Sequence, residues 1–347
     1  MSESNSQFPA ASQANPTDLV PATQGSIGPG TGNTRTITPV QIVDAGMLNE
    51  GTTTTVLHGN AAGAPAFSAV NLATDVTGLL NLATNVSGSL PIANGGTGFS
   101  AFLRGYIGGL TLANDSGSPN TIIDISAGIC ADSTNSVGIV GTALTKSTGG
   151  TWVAGSGANG LGQGLTIAAS TWYHVFAIIN GNAADVYFDT SVTAANKPAG
   201  TTAFRRIGSF LTDGSSHIIP FSQNGNEFLW LTTLHDGSNL APGVTTAESL
   251  TVSSPLGVIC NVLFRAYLTD GSSLDNIIFT SFSENDQAPN GAGTAGASLA
   301  VIANGVSGGE FNKRTNTSSQ IRYRLLQSTG TAQVQTFGYI DTRGQFL

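Results

Sequence analysis

The chain has 347 residues, a formal net charge of −8 and 9% charged residues, where ordinary soluble proteins have about 25%. Ser, Thr, Asn and Gln supply the polarity instead, and such side chains disfavour helices because they compete for backbone hydrogen bonds. An acidic chain argues against a nucleic-acid partner, since binders of the phosphate backbone carry basic patches. No stretch approaches the ~20 apolar residues of a membrane span, so we expect no membrane insertion. Residues 1–20 lack the features of a signal peptide, so we expect folding in the cytoplasm of the producing cell.

The first hundred residues lack the aromatic bulk of a globular core. They contain no Trp, no Tyr and three phenylalanines, Phe8, Phe67 and Phe99. Residues 1–35 are rich in Ser, Asn, Gln, Pro and Gly, a composition typical of extended segments that only a partner orders. We therefore predict that residues 1–54 are an extended anchoring segment held by another protein.

A ten-residue repeat follows the anchoring segment. Residues 71–80 read Asn-Leu-Ala-Thr-Asp-Val-Thr-Gly-Leu-Leu, and residues 81–90 read Asn-Leu-Ala-Thr-Asn-Val-Ser-Gly-Ser-Leu. Repetition at a fixed period indicates a quasi-one-dimensional structure. One chain cannot bury the few apolar side chains of each unit, whereas several chains wound around one axis bury them together. Because three chains are the smallest closed arrangement with a shared interior, residues 55–100 predict the shaft of a homotrimer.

From about residue 101, short apolar runs alternate with turn signals. This pattern predicts an all-β protein whose shaft is followed by two small β-sandwich or jelly-roll-like domains, 101–240 and 241–347. The clearest hairpin joins residues 172–179 to 185–188 through Asn-Gly-Asn. Further strand candidates lie near 121–125, 165–168, 202–210, 227–234, 249–252, 258–268, 276–282, 320–326 and 333–341, with Asp-Gly turns at 213–214, 236–237 and 270–271.

Motifs that would carry chemistry are incomplete. Residues 155–160 have the glycine spacing of a dinucleotide site, but a second glycine-rich run and a strand follow where a helix is required. Residues 305–309 have the spacing of a nucleophile elbow, without a histidine later in the chain. Asp185 and Asp189 lie about 13 Å apart along one strand, farther than glycosidase carboxylates. The four histidines lack zinc spacing. We predict no catalytic residue, no cofactor, no metal site and no enzymatic activity.

The two cysteines, Cys130 and Cys260, lie inside apolar runs. A chain of this length has a core of its own and does not depend on disulfide bonds for stability. We therefore predict two buried free thiols.

Ten short sequence motifs, which we call phrases, follow one another along the chain. Residues 90–98 read Leu-Pro-Ile-Ala-Asn-Gly-Gly-Thr-Gly, and the other phrases are residues 57–65, 70–78, 110–115, 131–135, 171–176, 204–209, 223–230, 315–324 and 338–344. The ordered set resembles the shaft-to-head junction and the head strands of bacteriophage and prophage tail fibres, over roughly residues 55–347. The resemblance implies a trimeric virion protein whose N-terminus docks on the particle. Residues 1–54 match no such phrase, so attachment to tail, baseplate, collar or head stays open.

Three functions follow from these features. The first is recognition of a host polysaccharide or outer-membrane protein by a trimeric fibre located on the virion, which gains avidity from multivalency. Exposed loops would make the contact, with candidates at 146–164, 211–226 and 284–312 and with Trp152 as an aromatic receptor-binding platform. The alternative is a purely architectural virion component, such as an adaptor, a collar, or a head fibre or decoration. The third is a polysaccharide depolymerase, which lacks the expected acid density and long parallel β-helix.

Overall fold

A computed structural model describes residues 20–23, 34–37, 54–59, 66–71, 103–240, 246–270, 274–289, 297–326 and 330–345. Every regular element within these ranges is a β-strand, which confirms the predicted all-β class. The chain divides into two compact units, Met1–Gly88 and Ser89–Leu347.

The first unit contains two antiparallel hairpins in its described residues. Strand β1 (Val20–Thr23) pairs with β2 (Thr34–Ile37), and β3 (Thr55–His58) pairs with β4 (Ala66–Ala69). The second hairpin lies within the predicted shaft. The ten-residue repeat lies outside the described residues apart from Asn71, so the winding of three chains stays a prediction.

In the described part of the second unit, the remaining strands form four sheets. In chain order they are β5 Ile107–Gly109, β6 Leu112–Asn114, β7 Ile122–Ile125, β8 Gly128–Ala131, β9 Gly138–Gly141, β10 Leu144–Thr151, β11 Ala158–Leu161, β12 Trp172–Asn180, β13 Ala183–Asp189, β14 Thr201–Leu211, β15 Phe221–Asn224, β16 Glu227–Leu240, β17 Glu248–Thr251, β18 Asn261–Asp270, β19 Asp275–Thr280, β20 Leu299–Val301, β21 Gly305–Arg314, β22 Gln320–Leu325 and β23 Thr331–Ile340.

The first core lies under a seven-stranded sheet of order β14-β12-β13-β11-β10-β7-β6, with the three-stranded sheet β5-β8-β9 beside it. The predicted hairpin is confirmed as β12 and β13, in which Asn180 opposes Ala183 across a two-residue turn. Apolar β-branched and aromatic side chains of these strands suit a pleated, buried surface. Stacked Tyr173 and Phe210, with Phe188 edge-on, fill the centre of this core.

The second core is a β-sandwich between a five-stranded sheet, β15-β16-β23-β18-β21, and a four-stranded sheet, β17-β22-β19-β20. Strand β18 shows how the sequence builds it, since every second residue from Val262 to Asp270 is buried while its neighbours are not. Such alternation is expected where one face of an antiparallel sheet is covered. Phe264, Phe279 and Phe311 meet inside with ring centroids 5.0 to 5.6 Å apart.

The two cores share strands β16 and β23. Phe228 and Trp230 at the start of β16, and Tyr339 near the end of β23, belong to the first core, whereas Val334 of β23 belongs to the second. The predicted division at 240/241 stays a prediction, but the two cores are joined through continuous strands.

The turn predicted at Asp236-Gly237 is wrong, because β16 continues through both residues. Asp236 is instead held by its side chain, which accepts hydrogen bonds from the Ser253 backbone N–H and hydroxyl at 2.9 and 2.5 Å and from the Thr336 hydroxyl. These bonds satisfy the carboxylate without a turn and attach β16 to the segment after β17.

The strand predicted at 165–168 is also wrong. The Tyr173 hydroxyl bonds to two backbone groups of this segment that would otherwise pair with a neighbouring strand. It donates to Thr166 O at 3.0 Å and accepts from the Ala168 N–H at 2.8 Å. Tyr173 is fully buried, so this segment is pinned onto the first core as irregular chain.

Charged groups lock the segment after β23 onto the first core. Arg206 of β14 donates two hydrogen bonds to the Asp341 carboxylate, at 2.8 and 2.7 Å. Its neighbour Arg205 donates to the backbone oxygens of Arg343 and Gly105, which lie at opposite ends of the second unit's described sequence. Burial opposes ionisation of Asp341, but Arg206 outweighs it and lowers the pKa of that carboxyl.

His174 lies at the centre of the same polar network. Its Nδ1 is 2.8 Å from the Ser209 hydroxyl, which also accepts a hydrogen bond from Arg206, and the ring bonds to the backbone of Leu256. Burial and the positive charge of Arg206 lower the pKa of His174 to about 4, against the opposing influence of Asp341 and Asp189. The imidazole is therefore neutral at pH 7.

We predict that acid destabilises this unit through His174. The folded pKa of about 4 lies below the ordinary value of 6.5, so the unfolded chain binds a proton first and stability falls as the pH drops from 6.5 towards 4. The full shift corresponds to about 3 kcal/mol. Urea unfolding from pH 7 to 4 measures it. In His174→Gln the slope shrinks, whereas His217→Asn, at an exposed histidine, leaves it unchanged. An equal slope in the two variants would contradict the assignment.

Candidate recognition site

An open groove of about 470 Å³ lies over strands β6, β7 and β10 of the seven-stranded sheet. Its walls combine hydroxyls, two carboxyl groups and small apolar side chains. The lining residues are Thr111, Ala113, Asp115, Asp124, Ile125, Ser126, Ala143, Leu144, Thr145 and Ser156. Polar groups that converge on one cleft are a feature that this groove shares with small-ligand sites.

The pairing of β6 with β7 brings the two carboxyl groups to one face. Ala113 opposes Asp124 in the ladder, and Asp115 continues the pairing by donating its N–H to Ile122 O at 3.1 Å. Because alternate residues of a strand share a face, Asp115 lies diagonally next to Asp124. Asp115 is fixed there by a turn in which its Oδ1 accepts the N–H groups of Gly117 and Ser118 at 2.9 and 2.7 Å.

The two carboxyl groups interact directly. Burial raises the pKa of Asp124, and the charge of Asp115 with a hydrogen bond between the two groups raises it further. A hydrogen bond between two carboxyl groups requires a shared proton. When both are ionised, Asp124 Oδ1 is shielded from water and has no donor among the described residues. Two carboxyl groups within hydrogen-bonding distance are also closer together than the roughly 5 Å that separates the carboxyl groups of retaining glycosidases.

A buried lysine shapes the connection of residues 152–157, which forms one rim of the groove. Lys146 is 0% exposed, and its ammonium donates to Val153 O and Gly155 O at 2.7 and 2.8 Å and pairs with Asp185 at 2.9 Å. Asp185 also accepts the Gly155 N–H at 2.9 Å. Burial lowers the pKa of Lys146, while Asp185 opposes that shift. Every donor of the ammonium has an acceptor, so the charge is held inside the fold.

Trp152 opens this connection and is half-buried. Its Nε1 donates to Val186 O at 3.0 Å, its ring lies 5.4 Å from the Lys146 ammonium, and it packs against a cluster that includes Phe176 and Tyr187. These contacts give the indole a structural role in holding the rim. A receptor-binding role for Trp152 stays a prediction.

The connection reaches the groove through a serine at its far end. The exposed Ser156 accepts a hydrogen bond from the Thr145 N–H at 3.0 Å, and Gly157 N–H donates to Thr145 O at 2.9 Å. The rim is therefore attached to β10 at both ends, by Lys146 within the strand and by Thr145 one residue earlier.

The other sequence candidates take structural positions. Asp185 pairs with Lys146, while Asp189 is buried and accepts from the Ser191 and Asn196 N–H groups at 2.9 and 2.8 Å. The glycine-rich residues 155–160 lead into strand β11, and residues 305–309 begin strand β21, so neither precedes a helix. Cys130 and Cys260 are buried free thiols, as predicted.

The candidate loops are shorter than predicted. Residues 146–164 contain most of β10 and all of β11, residues 211–226 contain β15, and residues 284–312 contain β20 and most of β21. The turn predicted at Asp213-Gly214 is confirmed, since Asp213 Oδ1 accepts the N–H groups of Ser215 and His217 at 2.8 and 2.9 Å. The turn predicted at 270–271 lies partly outside the described residues.

Sequence reasoning missed the groove, although a signal for it existed. Asp124 interrupts the apolar run Ile122-Ile123-Asp124-Ile125, and a charged residue inside such a strand marks the face that is not buried in the core. Asp115 gave no comparable signal, because Asp-Ser-Gly-Ser reads as an ordinary turn.

Within the ranges that the structure describes, His, Cys, Asp and Glu side chains do not converge in groups of three or more that suit a metal ion. The same ranges hold no helix long and apolar enough to cross a membrane. No family model matches the sequence, and no curated protein matches it. The resemblance to tail fibres stays a prediction.

We predict that Lys146→Met destabilises the protein by about 3 kcal/mol, because removing one partner leaves the buried Asp185 carboxylate uncompensated. Urea unfolding at pH 7 measures the loss. The double variant Lys146→Met/Asp185→Asn recovers part of the stability, since the amide carries no charge. Lys197→Met, at an exposed lysine, is the control and stays within about 0.5 kcal/mol of the parent. A double variant no more stable than Lys146→Met would refute the charge argument.

We predict that Asp115→Asn lowers the pKa of Asp124 part of the way to its ordinary value. The like charge is removed, whereas the burial that contributes most to the raised pKa remains. Carboxyl-carbon chemical shifts followed through a pH titration measure the pKa. Asp213→Asn, in the turn after β14, is the matched control and leaves Asp124 unchanged. An unchanged Asp124 pKa in Asp115→Asn would show that the two groups do not interact.

Proposed function

We propose that the protein is a bacteriophage virion component of the tail-fibre type that recognises the host surface, with the groove over β6, β7 and β10 taking a saccharide unit of a host polysaccharide. The observation that supports this proposal is the composition of the groove: carboxyl and hydroxyl groups beside apolar side chains, in a cleft open to solvent.

Saccharides match this composition in two ways. Their hydroxyls are hydrogen-bond donors, and the carboxyl groups of Asp115 and Asp124 are acceptors that line the groove. Their C–H faces are apolar, and the exposed Ala113 and Ala143 line the groove beside the polar groups.

The rim is already ordered before a ligand arrives. The Lys146 ammonium and the Thr145–Ser156 hydrogen bond hold residues 152–157 in place. A site on a rigid scaffold loses less conformational entropy on binding, so a shallow groove retains useful affinity.

Weak binding at one groove suffices if several grooves act together. In the proposed homotrimer three copies present three grooves, with residues 1–54 attached to another virion protein. Linked sites raise the effective affinity without any new contact. Avidity therefore compensates for the modest size of each groove.

The architectural alternative makes the opposite prediction for the groove, since an adaptor or decoration has no ligand there. A host outer-membrane protein as receptor is a second alternative, which requires a surface larger than this groove. Both alternatives are decided by the binding measurement that follows.

We predict that a panel of bacterial surface polysaccharides contains one that binds the full chain, and that Ala113→Trp weakens that binding at least about tenfold. Ala113 is exposed on the groove wall, so an indole there occupies the ligand's space while leaving the core intact. Ala300→Trp, at an exposed alanine of β20, is the control and keeps parental affinity. Binding is measured by glycan array and then by calorimetry.

Equal loss in both variants, or none in Ala113→Trp, places recognition outside the groove. If no polysaccharide binds but the chain adheres to cells and protease treatment of those cells abolishes adhesion, the receptor is a protein. If it binds neither, the architectural function becomes the better account.

A further inference from the structure

Two hairpin turns of the second unit contain the same tripeptide, Asn-Gly-Asn. Residues 180–182 connect β12 to β13, and residues 224–226 connect β15 to β16. In each turn the first asparagine ends its strand and opposes the residue three positions later. Gly181 and Gly225 both have a φ of +60°, and a Cβ added to either glycine would meet nothing within 4 Å. The two turns therefore match in backbone at the glycine and in the openness of their tips.

The first asparagine of each turn differs in how its side chain is held. Asn180 Nδ2 donates to Ala199 O at 2.8 Å and to the Thr201 hydroxyl at 3.4 Å. Asn224 is exposed, and its amide makes no hydrogen bond with the residues that the structure describes. The Asn180 amide is thus tied to the chain before β14, whereas the Asn224 amide rotates in water.

An asparagine followed by glycine reacts with the backbone next to it. The glycine nitrogen loses its proton and attacks the asparagine Cγ, a C–N bond forms, and the amide nitrogen leaves as ammonia. Water then opens the resulting succinimide ring. Opening at the Cγ carbonyl gives aspartate with a normal backbone, and opening at the main-chain carbonyl gives isoaspartate, whose backbone runs through the side chain. Glycine favours the attack because no Cβ crowds its nitrogen.

We propose that Asn224 is a site of spontaneous deamidation, and that Asn180 in the matching turn is protected by its hydrogen bonds. Before its Cγ reaches the glycine nitrogen, Asn180 must give up the bond to Ala199 O, whereas Asn224 has no such bond to break. This chemistry belongs to the single chain and requires neither the proposed ligand nor a trimer.

The other Asn-Gly pairs in the described residues, 159–160 and 304–305, are hindered at the glycine. Gly160 is buried within β11, and the Gly305 N–H already donates to Ile302 O at 2.9 Å. Reaction at either pair first disrupts a strand or the turn before β21. Among the described Asn-Gly pairs, 224–225 therefore combines an exposed turn with an untethered amide.

The turn between β15 and β16 holds two distant parts of the unit. Gln223, directly before it, accepts a hydrogen bond from the Leu112 N–H at 2.7 Å and donates one to Gly225 O at 2.8 Å. Asn226 O accepts the Asp341 N–H at 2.8 Å. Strand β6 and the segment after β23 are thus both attached to this turn.

Either product of deamidation disturbs these attachments. Isoaspartate adds a methylene group to the backbone before Gly225, which displaces the carbonyl oxygens of Gly225 and Asn226. Aspartate places a carboxylate opposite Glu227, and like charges directly opposite each other destabilise an antiparallel pair. Deamidation at Asn224 therefore loosens the turn and lowers the stability of the unit.

The test incubates the full chain at pH 8 and samples it over time. Tandem mass spectrometry of tryptic peptides measures conversion at each asparagine, and cleavage after Arg205 and Arg206 places the two turns in different peptides. We expect Asn224 to convert at least about fivefold faster than Asn180 in the folded chain. In unfolding concentrations of urea, the identical tripeptides convert at similar rates, because the hydrogen bonds of Asn180 are lost.

A second measurement compares urea midpoints before and after the incubation. The midpoint of the parent falls, whereas Asn224→Ser, which lacks the reactive amide, keeps its midpoint. Equal conversion of the two asparagines in the folded chain, or conversion of both in urea and of neither in the folded chain, overturns the proposed site. Conversion of Asn224 with an unchanged midpoint overturns the role of the turn in stability. Each of these results leaves the proposed function standing.

Discussion

The bidentate ion pair between Arg206 and Asp341 joins parts of the chain that are far apart in sequence. It connects the middle of β14 to the residue after β23, and both groups are largely removed from water. A charge-assisted bidentate bond fixes direction as well as distance. Removing either side chain would leave a buried charge without compensation. The loss of stability would therefore be far larger than for a surface ion pair. Through it the end of the second core's sheet is held on the first core.

The rest of the unit is arranged around this pair. Arg206 also binds Ser209, Ser209 bonds to His174, and His174 reaches the backbone of Leu256 between β17 and β18. Strands β12 and β14, the end of β23 and the segment between β17 and β18 are thereby fixed relative to one another. The groove lies at the far edge of the same seven-stranded sheet. A polar network of this kind is stabilising only when its members are satisfied.

The sequence predicted the all-β class and the strands that carry their own signals. The β12–β13 hairpin was readable because long β-branched and aromatic runs flank an Asn-Gly-Asn turn. The failures have a common cause, which is a distant side chain that satisfies the backbone or the turn residue. Tyr173 replaces a strand partner at 165–168, and Ser253 and Thr336 hold Asp236 inside β16. Local patterns contain no information about such partners.

The same limit applies to the groove and its rim. Asp124 was visible as a charge within an apolar strand, but its neighbour Asp115 becomes significant only when β6 and β7 pair. Lys146 carried no signal, because a lysine in a strand is ordinarily solvent-exposed. Its partners at Val153, Gly155 and Asp185 are set by the fold.

Charged residues make up only 9% of the chain, yet several of them are buried, among them Lys146, Arg205 and Asp341. Each is placed where irregular chain meets the sheets, at the rim of the groove or at the end of β23. Buried charge in this protein therefore positions backbone, whereas exposed charges such as Arg265 and Glu310 pair with each other at the surface. With a net charge of −8, the chain repels acidic partners at long range. Under the proposed function, recognition depends on short-range hydrogen bonds and shape, which are weak singly and gain strength when identical copies act together.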